Sequence, residues 1–100
     1  MTKTTDGAGG AFALPAALDS RFAATLRDEL LARRGGALTL DATQVGVLGA
    51  QCAQILLAAA RTWREDGFAL ALAGASQQMM EDLELLGLSG RDLTAGEALQ

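Results

Sequence analysis

Asp19, Asp41 and Cys52 are the side chains best placed to do chemistry, because each falls where a strand gives way to a helix in the sequence pattern. Open α/β sheets bind their ligands at such strand ends. Two carboxylates can share general acid and base work only if they stand close together in contrasting environments. No second carboxylate is close to Asp41 in sequence. Each acid also has a plainer role: Asp19, or Ser20 beside it, caps the helix that follows, and Asp41 accepts bonds from nearby loop amides. The 100 residues contain no histidine and no tyrosine. That removes a Ser-His-Asp triad, a Cys-His pair and histidine-based metal sites together. Cys52 lies on an apolar helical stripe and reads as a small core residue rather than a reactive thiol. As the single cysteine it permits no intrachain disulfide, which suits a reducing compartment. Gly7, Gly9 and Gly10 would suit a phosphate-binding loop only between a strand and a helix carrying Lys or Ser/Thr, and here they precede the first strand. No catalytic residue, metal or cofactor is therefore assigned.

A chain of this length makes one domain with one core. Half of the residues are apolar, yet only Phe12, Phe22, Phe68 and Trp63 are aromatic. So many alanines imply close helix-to-sheet packing rather than a roomy pocket. The net charge of −4 provides no basic stripe to neutralise phosphates, so nucleic acid is not an expected partner. The longest apolar runs, around 55–60 and 68–73, fall short of the roughly 20 residues needed to cross a bilayer, and direct membrane insertion is not expected. The N-terminus lacks the apolar stretch of a secretory signal. A cytoplasmic protein is the expectation.

The elements that must position these residues alternate regularly. Residues 1–10 are polar and glycine-rich and read as a flexible tail before a domain over 11–100. Ala11 to Leu14 reads as the first strand, ended by Pro15, which removes a ladder donor, with a short second segment at Ala16 to Leu18. Phe22, Leu26 and Leu30, with Ala23 and Leu31 beside them, form the stripe of a first helix. Arg33 and Arg34 complement its dipole, and Gly35 is its exit. The central stretch LTLDATQVGVLGAQCAQILL, residues 38–57, is a strand, a loop and a second helix. Cys52, Ile55, Leu56, Ala59 and Trp63 give that helix its buried face, and Gly67 ends it. Phe68 to Ala73, apolar throughout, reads as a third strand covered on both faces. Ser76 caps a third helix with Met80, Leu83 and Leu86, which Gly87 stops. Leu88 tucks onto the core, and 89–100 reads as a weakly helical tail. The order predicts an α/β fold with a central mixed sheet and right-handed β-α units.

With Leu18-Asp19 before the first helix, Leu40-Asp41-Ala42-Thr43-Gln44-Val45 after the central strand, and small residues at Gly49 to Cys52, the chain resembles a STAS domain, the fold of bacterial anti-sigma-factor antagonists. The likeness runs from about Phe12 to Leu88. It implies a non-catalytic protein-binding module of bacterial signal transduction. In that family the loop reads Asp-Ser-Ser-Gly-Leu, and a serine in it is phosphorylated by an anti-sigma-type kinase. A phosphate there would face the free N–H groups of a helix N-terminus and place about two negative charges in the partner surface. The matching positions, counted from Asp41 as the preceding aspartate, are Gly49, Ala50, Gln51, Cys52 and Ala53, so neither serine is present and the usual phosphoswitch does not carry over. Thr43, seven residues ahead of Ala50, is the nearest hydroxyl and the one candidate for phosphorylation.

Leu-Pro-x-x-Leu-Asp near the start, Ala-Ala-Arg-Thr-Trp in the second helix and Leu-Leu-Gly-Leu after the third are also similar to small STAS proteins that accompany chemotaxis proteins. A further set of relatives are STAS subunits that dock on the ATPase of lipid-transporting ABC systems. The implied partners are an anti-sigma-type kinase, a chemotaxis protein or a transporter ATPase. The expected docking surface comprises Thr43, Gln44, Gly46, Gly49, Ala50, Gln51 and Gln54, small and polar residues that let another backbone approach. A small carboxylate-dependent enzyme centred on Asp41 is the alternative of a different class. Oligomeric state is left open by the residues.

Overall fold

Pro15 and the turn that follows Asp41 divide what would be two long strands into four short ones. In a computed structural model that describes residues 10–96, the elements are β1 (Gly10–Ala13), β2 (Ala17–Leu18), α1 (Ala23–Ala32), β3 (Leu38–Asp41), β4 (Val47–Leu48) and α2 (Ala50–Asp66). β5 (Leu70–Ala73), α3 (Gln77–Leu85) and a short 3-10 helix (Gly90–Leu93) complete the chain. β3 is central and runs parallel to β1 and β5, with Phe12, Leu40 and Leu72 in register across the three strands. β2 and β4 pair parallel beyond the break. Leu14 N–H still reaches the Asp41 carbonyl at 2.9 Å, and Gly46 N–H reaches that of Ala16 at 2.8 Å, so the two pairs are stitched across the interruption. The antiparallel component is a bridge between Leu70 and Ala95. The α/β architecture expected from the alternation of elements is the one observed. Apart from Gly10, which begins β1, the tail expected over 1–10 lies outside the described residues.

The core lies between the sheet and the helices. Leu14, Leu18, Leu26, Leu40, Leu56, Leu70, Met79, Leu83 and Leu93 are all fully buried. Each such side chain stabilises the fold by about 1.5–3 kcal/mol relative to exposure. On α2 the buried face is Cys52, Ala53, Leu56, Ala59, Ala60 and Trp63, close to the stripe read from the sequence, with Ile55 half-buried at its edge. Gly67, at φ +83°, takes the left-handed step that ends α2.

Four sequence expectations need correction. Leu31 is 59% exposed, because α1 buries Ala23, Leu26 and Leu30 and Leu31 is turned about 100° from Leu30. On α3 the core face is Met79 and Leu83, which leaves Met80 and Leu86 largely outside. β5 begins at Leu70, and its burial fades from Leu70 to an exposed Ala73. Phe68 belongs to the exit of α2, where its N–H donates to the Trp63 carbonyl at 3.0 Å. The segment expected to be a weakly helical tail does carry the 3-10 helix, but its described part is anchored: Leu93 and Ala95 are fully buried, and Ala95 exchanges two 3.0 Å backbone bonds with Leu70.

Candidate functional site

The turn after β3 is built by Asp41. Its Oδ1 accepts from the Thr43 N–H at 3.0 Å and from Thr43 Oγ1 at 2.8 Å, an Asx turn of the kind short polar side chains form with their own backbone. Those two bonds hold the Asp41 carboxyl below the usual carboxylate range, with the backbone donor the larger cause. An acid held ionised in this way has no proton to deliver near neutral pH. Val45 N–H closes the turn on the Ala42 carbonyl at 3.1 Å. From the other side, Ser76 Oγ donates to the Val45 carbonyl at 2.8 Å while accepting from Met79 N–H at 3.1 Å. One hydroxyl thus caps α3 and ties it to the turn. Thr43 and Gln44 are left exposed on the outer side of this turn.

β4 leads from the turn into α2. Gly49, the N-cap of α2, donates to the Leu18 carbonyl at 2.8 Å, and a Cβ built on it would lie 3.3 Å from that oxygen. Its lack of a side chain therefore serves the close approach of β2. No side chain caps α2, so its first-turn N–H groups are unclaimed from within the helix. Gly46, Ala50, Gln51 and Gln54 are exposed, and Gly49 is half-buried. Cys52 faces inward, its Sγ 3.3 Å from the Asp19 carbonyl, and burial raises its pKa, which suits the core role expected for it. Asp19 accepts from the Arg21 N–H and guanidinium, each at 3.0 Å. The expected Asp19 cap thus orders the turn before α1; the N-cap position itself is Phe22, without a side-chain bond.

Sequence reasoning missed the wall that α3 adds to this surface. Gly46, Val47 and Leu48 form an open trough with Gln78, Asp82, Leu85 and Leu86. A second depression joins Ala50, Ala53, Gln54 and Leu57 to Leu86 and Leu88. Leu86 separates the two, so the β4–α2 junction and the C-terminal turn of α3 make one surface. Val47 is 53% exposed and Leu85 84%, which gives that surface an apolar patch. The dipeptide Leu85-Leu86 was the available signal: Leu85 is two residues past Leu83, about 200° around the helix, so a core stripe through Leu83 leaves it outside.

Asp82 holds this wall in place. Its Oδ2 accepts from the Leu48 N–H at 3.0 Å, and its Oδ1 accepts from Gln78 Nε2 at 3.0 Å. The carboxylate thus satisfies an outward-facing strand amide that no neighbouring strand serves. Asp82→Ala is expected to cost about 1–3 kcal/mol by orphaning that donor, and Asp82→Asn, which keeps a carbonyl acceptor, distinctly less. Urea denaturation of the two variants measures the difference, and equal losses would show that the bond to Leu48 contributes nothing.

Residues 1–95 match the family described as "Mlab, STAS domain". The chain belongs to the STAS family. No curated protein is significantly similar to it. Among solved structures, it is similar to the crystal structure of a sulfate transporter family protein from Wolinella succinogenes, with a TM-score of 0.70 and 18% identity over 86% of this chain and 71% of the other. STAS domains are protein-interaction and regulatory modules and are generally non-catalytic. In this STAS domain Ala50 and Gln51 lie in the exposed first turn of α2. Among the described residues no helix is long and apolar enough to cross a membrane.

Proposed function

We propose that this STAS domain is a non-catalytic docking module of bacterial signal transduction, working in the cytoplasm and engaging an anti-sigma-type kinase or a chemotaxis protein. The docking surface is the β4–α2 junction, with Thr43, Gln44, Gly46, Gly49, Ala50, Gln51 and Gln54 contributing alongside α3. The observation that carries this reading is the exposed, hydroxyl-free first turn of α2 at Ala50 and Gln51, next to an apolar patch at Val47 and Leu85. A surface of this kind binds by contact alone and is not released by a phosphate at those positions. At Thr43 a phosphoryl group would meet the carboxylate that already holds its hydroxyl at 2.8 Å. Like-charge repulsion would then open the Asx turn, so modification there would act by reshaping the loop.

A second reading makes the chain an accessory subunit docked on a transporter ATPase. It is favoured by the description of the matching family and by the transporter-family name of the structural neighbour. Both readings use the same surface. Gentle affinity purification with mass spectrometry separates them: a kinase or chemotaxis proteins support the first, and an ATPase with its membrane subunits the second. The surface itself is tested by Ala50→Glu and Gln51→Glu. Burying an unpaired carboxylate in an interface costs a few kcal/mol, so each variant is expected to weaken capture of the partner by about tenfold or more with the circular-dichroism spectrum unchanged. Full capture by both would remove the junction from the interface.

A further inference from the structure

Charge is segregated on this molecule. The ion pairs among the described residues are Arg21–Asp19, Arg27–Asp28, Arg33–Glu29 and Arg34–Asp66, all on α1, just before or after it, or at the end of α2. α3 is different: it carries Glu81, Asp82 and Glu84 and no basic residue, and none of the three is in an ion pair among the described residues. Glu81 and Leu85 are four residues apart and so are neighbours on the helix surface. Asp82 lines the trough together with Val47, Leu85 and Leu86.

We propose that the β4–α3 trough takes a basic amphipathic helix of the partner protein, its apolar side chains seated on Val47, Leu85 and Leu86 and its Lys or Arg residues facing Glu81 and Asp82. This rests on the reading of the junction as a docking site and names the chemistry of what docks beside it. The apolar floor supplies the contact, and the unneutralised carboxylates select the sign of the partner's charge. A second copy of this chain does not fit the role. Its two longest helices are not basic: α1 carries Arg27 with Asp28 and Glu29, and α2 carries Arg61 and Arg64 with Glu65 and Asp66.

The test uses the full isotope-labelled chain and two synthetic amphipathic helices with the same leucine stripe, one flanked by Lys and Arg and the other by Glu. The basic peptide is expected to shift the amide resonances of Val47, Leu48, Gln78, Leu85 and Leu86, more weakly as salt rises, while the acidic peptide leaves them in place. Glu81→Lys and Leu85→Asp, both at exposed positions, should each reduce binding of the basic peptide about tenfold. Equal binding of the two peptides, no binding of either, shifts spread over the whole surface, or full binding by both variants would overturn the proposal. The native partner then separates the two inferences. Loss of capture by Ala50→Glu with full capture by Glu81→Lys and Leu85→Asp sinks the helix in the trough and keeps the junction. Full capture by Ala50→Glu sinks the junction itself.

Discussion

Replacing Trp63 by alanine is expected to remove about 3–5 kcal/mol of stability, a large share of the about 5–15 kcal/mol that holds a domain folded. The indole is 2% exposed on the buried face of α2, and its Nε1 donates to the Gly36 carbonyl at 2.8 Å. That bond fixes the connection between α1 and β3 against α2. Trp63→Phe separates the two contributions, because it keeps most of the ring and deletes the donor. Leaving the Gly36 carbonyl without its partner should cost about 1–3 kcal/mol. Urea denaturation followed by circular dichroism gives both values, since Trp63 is the only tryptophan and fluorescence is lost with it. A loss below about 1 kcal/mol for Trp63→Ala would contradict the packing described here. Partner affinity of Trp63→Phe should stay at the wild-type value, because the proposed docking surface lies at the opposite end of α2.

The alternation of short apolar runs with helical stripes made the fold legible, and α2 shows why. Its period is sustained over many turns, and Gly67 marks its end unambiguously, as its φ of +83° demonstrates. Legibility failed where burial is one-sided or non-local. Leu31, Met80 and Leu86 are apolar and near a helical period, and only the placement of the neighbouring elements decides that Leu30, Met79 and Leu83 face inward instead. The anchoring of Leu93 and Ala95 depends on β5 offering its first residue to a bridge, a contact across many residues that no local pattern encodes. The same holds at the proposed docking surface. The strand-to-helix order was enough to expect Thr43, Gln44, Gly46, Ala50, Gln51 and Gln54 near the junction, where the structure leaves them exposed. The contribution of Asp82, whose carboxylate reaches Leu48 across 34 residues, could not be read from it.

Gly74→Ala is expected to be the other severe substitution, at about 2–5 kcal/mol, and Thr43→Ser should reverse much of it. Gly74 has a φ of +70°, and a Cβ there would come within 2.3 Å of Thr43 Cγ2. The left-handed backbone accounts for about 1–2 kcal/mol of the cost, and the overlap for about 1–3 kcal/mol. The methyl cannot swing aside freely, because Thr43 Oγ1 is held on Asp41 at 2.8 Å and rotation about χ1 would break that bond. Serine keeps the hydroxyl and removes the methyl. A double-mutant cycle should therefore show a coupling of about 1–3 kcal/mol, with the backbone penalty left behind. Additive losses would mean that Thr43 is not wedged over Gly74. The coupling bears on function because the turn at Thr43 and the start of α3 are the two sides of the proposed docking surface, joined by Ser76 Oγ on the Val45 carbonyl. Forcing Thr43 away from Gly74 should disturb both sides at once. Gly74→Ala should then weaken partner capture by more than its stability loss explains, and the double variant should recover it.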